Sequence, residues 1–317
     1  MTLETNAHKP DKNEENIKIV FMGTPEFALK VLETVYGAGY SIPLVLTQAD
    51  KPRGRGQNLC PSPVKAFASE HSIEVYTPDR LKNEETMEML KKADPDVILV
   101  AAYGKILPEC VLELPRYGCI NIHASLLPKY RGAAPINRTI QNGETEGGIT
   151  VMYMAKELDA GDIILQKKVK IPEDMTAGEY HDALASLGGE CALEYLELLK
   201  SGNVPRTVQD HSLATYAEKI DKSELEVNFE SDAKTVSDFI RAMSPYPGAF
   251  TERGGKRIKL IRSHVSDGSG APGEVLSYGR SGLEIACRSG SVVITSLQPQ
   301  GKRIMTIDEY YAGNKNF

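Results

Sequence analysis

Apolar and polar positions along the chain fall into two textures. In roughly the first 200 residues, short and almost wholly apolar runs alternate with stretches of helical period; beyond residue 222, brief runs are separated by glycine-rich turns. Continuous apolar runs are the pattern of strands buried on both faces. The first texture predicts strands at 17–22, 42–47, 96–102 and 119–122, with helices at 26–36 and from 63 to 71. Strand, turn and helix in alternation build an α/β fold, here a Rossmann-like domain with a mostly parallel sheet. The runs at 96–102 and 119–122 belong near its centre. Residues 148–154 and 163–171 read as a β-hairpin around Asp159. A long amphipathic helix over 176–199 follows, opened by a capping box of Thr176 and Glu179. Thr24 reads as a cap and Pro25 as the opening residue of the helix at 26–36.

The second texture predicts short strands at 226–229, 250–252, 256–264, 273–277, 282–286 and 292–297, with one helix at 233–243. So many short strands in so little chain suggest a small OB-like β-barrel. The expected organisation is a disordered tail at 1–16, a Rossmann-like domain at 17–205, a polar linker at 206–221 and a C-terminal OB-like domain at 222–317.

Composition narrows the class without choosing a function. The chain is 41% hydrophobic and 25% charged, as in ordinary globular proteins. No apolar run reaches membrane-spanning length, and the first 16 residues are polar rather than signal-like. Cys60, Cys110, Cys119, Cys191 and Cys287 are odd in number and scattered, which favours reduced thiols in the cytoplasm over a disulfide framework or a zinc site. No metal is expected. From residue 206 onward, 15 Lys and Arg face 14 Asp and Glu, so the first 205 residues carry −7 and the remainder +1 of the net charge of −6. The near-neutral remainder holds a cluster of Arg253, Lys256, Arg257, Lys259 and Arg262. Such a cluster is either a phosphate-backbone contact or a solvated strand face.

Three stretches carry candidate chemistry. After the first strand, Gly23 is followed by Pro25 and Phe27 where the dinucleotide fingerprint G-x-G-x-x-G needs further glycines, which argues against a nicotinamide enzyme. Residues 50–65 form a long loop in which Lys51, Arg53 and Arg55 sit among glycine and proline, a composition suited to phosphates or an RNA end. The stretch CINIHASLLPKYRGAAPINR at 119–138 delivers Asn121 and His123 to the carboxyl end of a strand. Two residues apart on a strand, they share a face at the edge where open α/β sheets place chemistry. Taken alone, the histidine reads equally well as structural, and Asp159 as a turn-forming residue.

Those stretches together resemble the methionyl-tRNA formyltransferase family over roughly residues 17–312. The likeness lies in FMGTPEFA, TQADKPRGRGQNLCPSPVK, the 119–138 stretch, ELDAGDI, TYAEKI, SPYPGAF and LQPQGKR. Asn121, His123, Ser125-Leu126-Leu127-Pro128 and Asp159 alone would also fit formyltransferases acting on glycinamide ribonucleotide or sugar nucleotides. The arginine loop and the C-terminal barrel select the tRNA enzyme. Ala124 stands where the family often has glycine, and Tyr246 where tryptophan is common. The resemblance implies formyl transfer from 10-formyltetrahydrofolate to the α-amino group of initiator methionyl-tRNA, without a metal. It implies that Asn121 and His123 stabilise an oxyanion and that Asp159 holds the His123 tautomer. Ser125, Leu126, Leu127 and Pro128 would bind the folate; Lys51, Arg53, Arg55, Arg253, Lys256, Arg257 and Lys259 would bind tRNA. A cytoplasmic monomer is expected. A folate- or RNA-binding protein without catalysis is the reading from a different class, and an intact Asn/His/Asp trio disfavours it.

Overall fold

The computed structural model describes residues 17–53, 58–315 and 317; the tail expected at 1–16 lies outside the described residues. Two compact units emerge. One gathers the described residues of Met1–Arg131, Gly148–Lys168 and Asp182–Tyr216; the other gathers those of Gly132–Gly147, Val169–His181 and Ala217–Phe317.

A seven-stranded sheet organises the first unit. From one edge its order is Ile163–Lys170, Glu146–Tyr153, Cys119–His123, Val97–Ala101, Lys18–Gly23, Ser41–Leu46 and Glu74–Tyr76. The last five strands run parallel, and Glu146–Tyr153 is antiparallel to Cys119–His123. The chain adds strands on one side of Lys18–Gly23 and then crosses to the other, so the sheet has a switch point at the carboxyl ends of its central strands.

Strand alternation decides what lies on each face. Val20, Met22, Leu44, Leu46, Ile98, Val100 and Cys119 share one core with Leu81, Leu90 and Val111. Fully burying a leucine or isoleucine there stabilises the fold by about 1.5–3 kcal/mol. The opposite face presents Ile122, which approaches Gly188 in the long helix Ala177–Lys200. A Cβ at Gly188 would stand 3.3 Å from Ile122 and 3.4 Å from Phe27, so glycine permits the helix to lie this close. Phe27 belongs to the helix Glu26–Gly37.

The turn between the first strand and that helix differs from expectation. Pro25 is the N-cap and no side chain caps the helix, because Thr24 Oγ1 donates to the Tyr103 carbonyl at 3.2 Å. Gln48 Nε2 donates to the same carbonyl at 2.8 Å. One oxygen beyond Val97–Ala101 thus receives donors from residues just past Lys18–Gly23 and Ser41–Leu46. The capping box at the long helix forms as expected: Thr176 N donates to Glu179 Oε2 at 2.9 Å, and Glu179 N to Thr176 Oγ1 at 3.3 Å.

The second unit is built on an antiparallel sheet in the order Phe250–Arg253, Lys256–Ser266, Ser291–Pro299, Gly282–Ala286 and Val275–Gly279, with Met305–Thr306 added beside Ser291–Pro299. Among the described residues the first and last of these do not pair, so the barrel is half open. The strand expected at 226–229 shrinks to a single bridge from Glu226 to Phe250. Asn228 causes this: its Oδ1 accepts Glu230 N at 3.0 Å, and the resulting turn takes the chain off the sheet. The helix Ala233–Ala242 turns Val236 and Ile240 inward and also buries the Asp238–Arg241 ion pair at 2.8 Å.

Candidate active site

The strand Cys119–His123 sits third in the sheet, and its carboxyl end opens beside the switch point. Cys119, Asn121 and His123 share a face, and at the end of the strand the face emerges from the core. Burial of Cys119 pushes its thiol up to about 12, so it has no thiolate and serves as packing. Asn121 is half buried, and its side-chain amide has no hydrogen-bond partner among the described residues. His123 is buried, with 7% of its side chain exposed.

Two groups fix the imidazole. Nε2 lies 3.0 Å from the carbonyl oxygen of Tyr130. A carbonyl only accepts, so Nε2 carries a hydrogen. Nδ1 faces Asp159 Oδ2 at 3.8 Å, an ion-pair distance longer than a hydrogen bond. The tautomer, expected from Asp159, is therefore set by the backbone of Tyr130. A proton taken up on Nδ1 meets the carboxylate directly. Asp159 itself holds a left-handed conformation with φ 49° in the turn between Glu146–Tyr153 and Ile163–Lys170, and 11% of its side chain is exposed.

The segment after His123 is held from beneath. Ser125 Oγ donates to Lys129 O at 2.7 Å and is buried, while Leu127 is 3% exposed and packs into the core. The neighbouring strand supplies Thr150, opposite His123 in register. Its hydroxyl donates to Ser125 O at 2.6 Å and accepts Leu127 N at 3.0 Å and Gln166 Nε2 at 2.8 Å. Only Leu126 and Pro128 of the four remain half buried, and Leu126 rests over Gly148, where a Cβ would come within 2.7 Å of it. Nothing in the sequence pattern marked Thr150, since a threonine inside an apolar strand reads as a β-former.

Comparison with known proteins gives this geometry its context. Residues 17–196 match the model of the formyl transferase family, and residues 219–315 match the formyl transferase C-terminal domain. The methionyl-tRNA formyltransferase of Moorella thermoacetica is 44% identical over 299 residues, 94% of this chain and 96% of that one. That of Macrococcus caseolyticus is 47% identical with the same coverage. The chain belongs to the methionyl-tRNA formyltransferase family. It is a formyl-transferring enzyme. The fold agrees with solved structures at lower identity. WlaRD, a sugar 3N-formyl transferase, superposes with a TM-score of 0.65 at 20% identity, covering 90% of this chain and 99% of that one. HypX from Aquifex aeolicus in complex with tetrahydrofolic acid gives 0.65 at 20% identity over 94% of this chain, which spans 47% of HypX. A methionyl-tRNA formyltransferase from Clostridium thermocellum gives 0.53 at 18% identity, covering 80% and 95%.

The basic residues of this formyltransferase are dispersed. Lys51 is exposed and donates to Gln48 Oε1 at 2.7 Å, and Arg53 ends the short strand Lys51–Arg53 that pairs with Asn58–Cys60. Arg55 lies outside the described residues. In the second unit the pairing of Arg253 with Lys256, and of Glu252 with Arg257, sends the cluster to two sides of the hairpin. Arg253 lies over Phe317 at 5.6 Å, Arg257 pairs with Glu252 at 3.1 Å, and Lys259 donates to Pro247 O at 2.6 Å. Arg262 is taken up by Glu179. Lys256 is exposed and, among the described residues, unpaired.

The stretch expected to be a linker enters the first unit as far as Tyr216. Thr207 exchanges backbone hydrogen bonds with Ile163 at 2.8 and 2.9 Å, and Arg206 pairs with Asp162 at 2.6 Å. Sequence reasoning passed over these residues because the segment has polar character and no period.

Proposed function

We propose that this chain transfers the formyl group of 10-formyltetrahydrofolate to the α-amino group of initiator methionyl-tRNA. The observation that carries the reading is the unpartnered amide of Asn121 beside His123, whose two nitrogens already face Tyr130 and Asp159, in a chain 44% identical to a methionyl-tRNA formyltransferase along 94% of its length. The residues fit a folate: half-buried Leu126 and Pro128 offer apolar surface close to the histidine, and an amide donor stands free. When bound, the folate supplies an activated formyl group.

Asn121 donates to the formyl oxygen and stabilises negative charge as it develops there. His123 would take on Nδ1, against the Asp159 carboxylate, the proton that the attacking α-amine gives up, and would return it to the nitrogen from which the formyl group departs. Ser125 and Leu127 face inward and hold the loop, whereas Leu126 and Pro128 meet the folate. Lys51, Arg53 and Arg55 bind the acceptor end of the tRNA, and Arg253, Lys256, Arg257 and Lys259 contact its backbone farther on. In this reading residues 17–205 carry the catalytic domain and 222–317 the tRNA-binding domain, and 206–221 join them with the part up to Tyr216 packed into the first unit. The enzyme works as a monomer in the cytoplasm; its five cysteines are free thiols, as suits a reducing compartment.

The test is a comparison of acceptors. With 10-formyltetrahydrofolate as donor, methionyl-tRNA should be formylated in clear preference to glycinamide ribonucleotide and an amino-sugar nucleotide, with formyl-methionine identified by mass spectrometry. Preferential formylation of either small acceptor would overturn the reading.

A further inference from the structure

We propose that Gln209 is a positioning residue for formyl transfer, tying together the two backbone segments that hold His123. The inference rests on the roles proposed above for His123 and Asp159.

Gln209 is 3% exposed, though it lies in a polar stretch without periodicity. Its Nε2 donates to the carbonyls of Asp159 at 2.9 Å and Gly161 at 2.7 Å. Its Oε1 accepts from Arg131 Nη2 at 2.7 Å and Nε at 3.3 Å. Two donors and two acceptor positions are all that a glutamine amide has, and all are used. The orientation follows from the partners: carbonyls demand donors and a guanidinium demands acceptors, so a flipped amide would oppose like with like.

The two ends of this bridge bracket the imidazole. Arg131, 3% exposed, follows Tyr130, whose carbonyl receives His123 Nε2. Asp159 presents its carboxylate to Nδ1 from a left-handed backbone position. Gln209 therefore fixes the carbonyl of the residue that faces one nitrogen and grips the neighbour of the residue that faces the other. Arg131 is locked further by His211, whose Nδ1 accepts from Arg131 Nη2 at 3.1 Å. Tyr130 N and Arg131 N donate to Thr215 Oγ1 and O, each at 2.9 Å, so Gln209, His211 and Thr215 together hold the segment that follows His123. A structural glutamine could make the same bonds, but only a positioning one would alter the imidazole when changed.

Gln209→Glu keeps the volume and the grip on Arg131, but sets a carboxylate oxygen against two carbonyls 2.7 and 2.9 Å away. A displacement of about 1 Å at a catalytic pair costs on the order of 100-fold in rate. The expected result is a fall of that size in kcat with KM for folate and methionyl-tRNA little changed. In the substrate-free protein, the His123 ring-nitrogen signals should move at fixed pH, assigned against His123→Gln. Wild-type kcat with unmoved ring-nitrogen signals would overturn the proposal. If Gln209→Glu fails to fold, Arg131→Lys, which weakens the same bridge from its other end, is read in the same two ways, and unchanged values there overturn it equally. The nitrogen signals require no substrate, so they decide the positioning role even if methionyl-tRNA proves to be the wrong acceptor.

Discussion

The Asp159 carboxylate stands 3.8 Å from Nδ1 of His123, while the other ring nitrogen is held at 3.0 Å by the Tyr130 carbonyl. Asp159→Asn keeps the shape and removes the charge that receives a protonated ring. It should lower kcat by about 100- to 10,000-fold, the usual contribution of a positioned acid–base group. His123→Ala should do at least as much. Single-turnover formyl transfer measures both, and circular dichroism should show an unchanged fold. Near-normal turnover in either variant would remove these residues from the chemistry.

Thr150 should prove as important to the loop as any residue in it. Its hydroxyl meets Ser125 O, Leu127 N and Gln166 Nε2, all within 3.0 Å and with no solvent exposure. Thr150→Val is isosteric and leaves the Leu127 N–H buried without its partner. Such a loss costs about 1–3 kcal/mol. Denaturant unfolding should show that loss, and KM for the folate should rise, because Leu126 and Pro128 sit on the same loop. Thr150→Ser should retain most of both. Equal stability in the valine variant would show that water replaces the hydroxyl.

Much of this is legible in the sequence itself. The apolar runs at 96–102 and 119–122 read as central strands, where the sheet places them, and Asn121 and His123 follow onto one face from the two-residue period. The capping box of Thr176 and Glu179 formed as its spacing requires. What was not legible depends on partners distant in sequence. Thr24 looks like a cap until Tyr103 offers it a carbonyl. The tautomer of His123 is set by a backbone oxygen, which no residue type announces. Gln209 sits in a weakly patterned polar stretch, and its burial and its bonds to the Asp159 and Gly161 carbonyls depend on residues far away in sequence. The arginine cluster at 253–262 looked like one patch because sequence neighbours were counted together, whereas strand pairing sends its members to different sides.

Gly161 should tolerate no side chain. A Cβ there would lie 1.8 Å from the carbonyl oxygen of Tyr153, a backbone atom that cannot turn aside. Gly161→Ala must therefore displace the turn that carries Asp159 and the carbonyl that Gln209 binds. Overpacking of this kind costs about 1–3 kcal/mol. The loss of kcat should exceed what that destabilisation alone would produce at temperatures where the protein remains folded. Full activity at low temperature would show that the turn adapts without moving Asp159.

Acid should weaken the second unit through Glu224. Arg138 binds its carboxylate with Nη1 and Nη2, each at 2.9 Å. These hydrogen bonds, joined by one from Asp221 N, hold the Glu224 carboxyl below its ordinary value despite partial burial. A carboxyl with a depressed pKa in the folded state binds its proton more readily when unfolded. Its contribution is fully present above the unfolded value, about 4.3, and is lost as pH falls through the lower folded value. Glu224→Gln should cost on the order of 1 kcal/mol at neutral pH, the upper end for a partly exposed pair. The difference between variant and wild type should shrink as pH drops below about 4.3. Thermal unfolding at a series of pH values measures both curves. A difference that stayed constant down to the lowest pH would mean that Glu224 contributes through packing and neutral hydrogen bonds, and not through its charge.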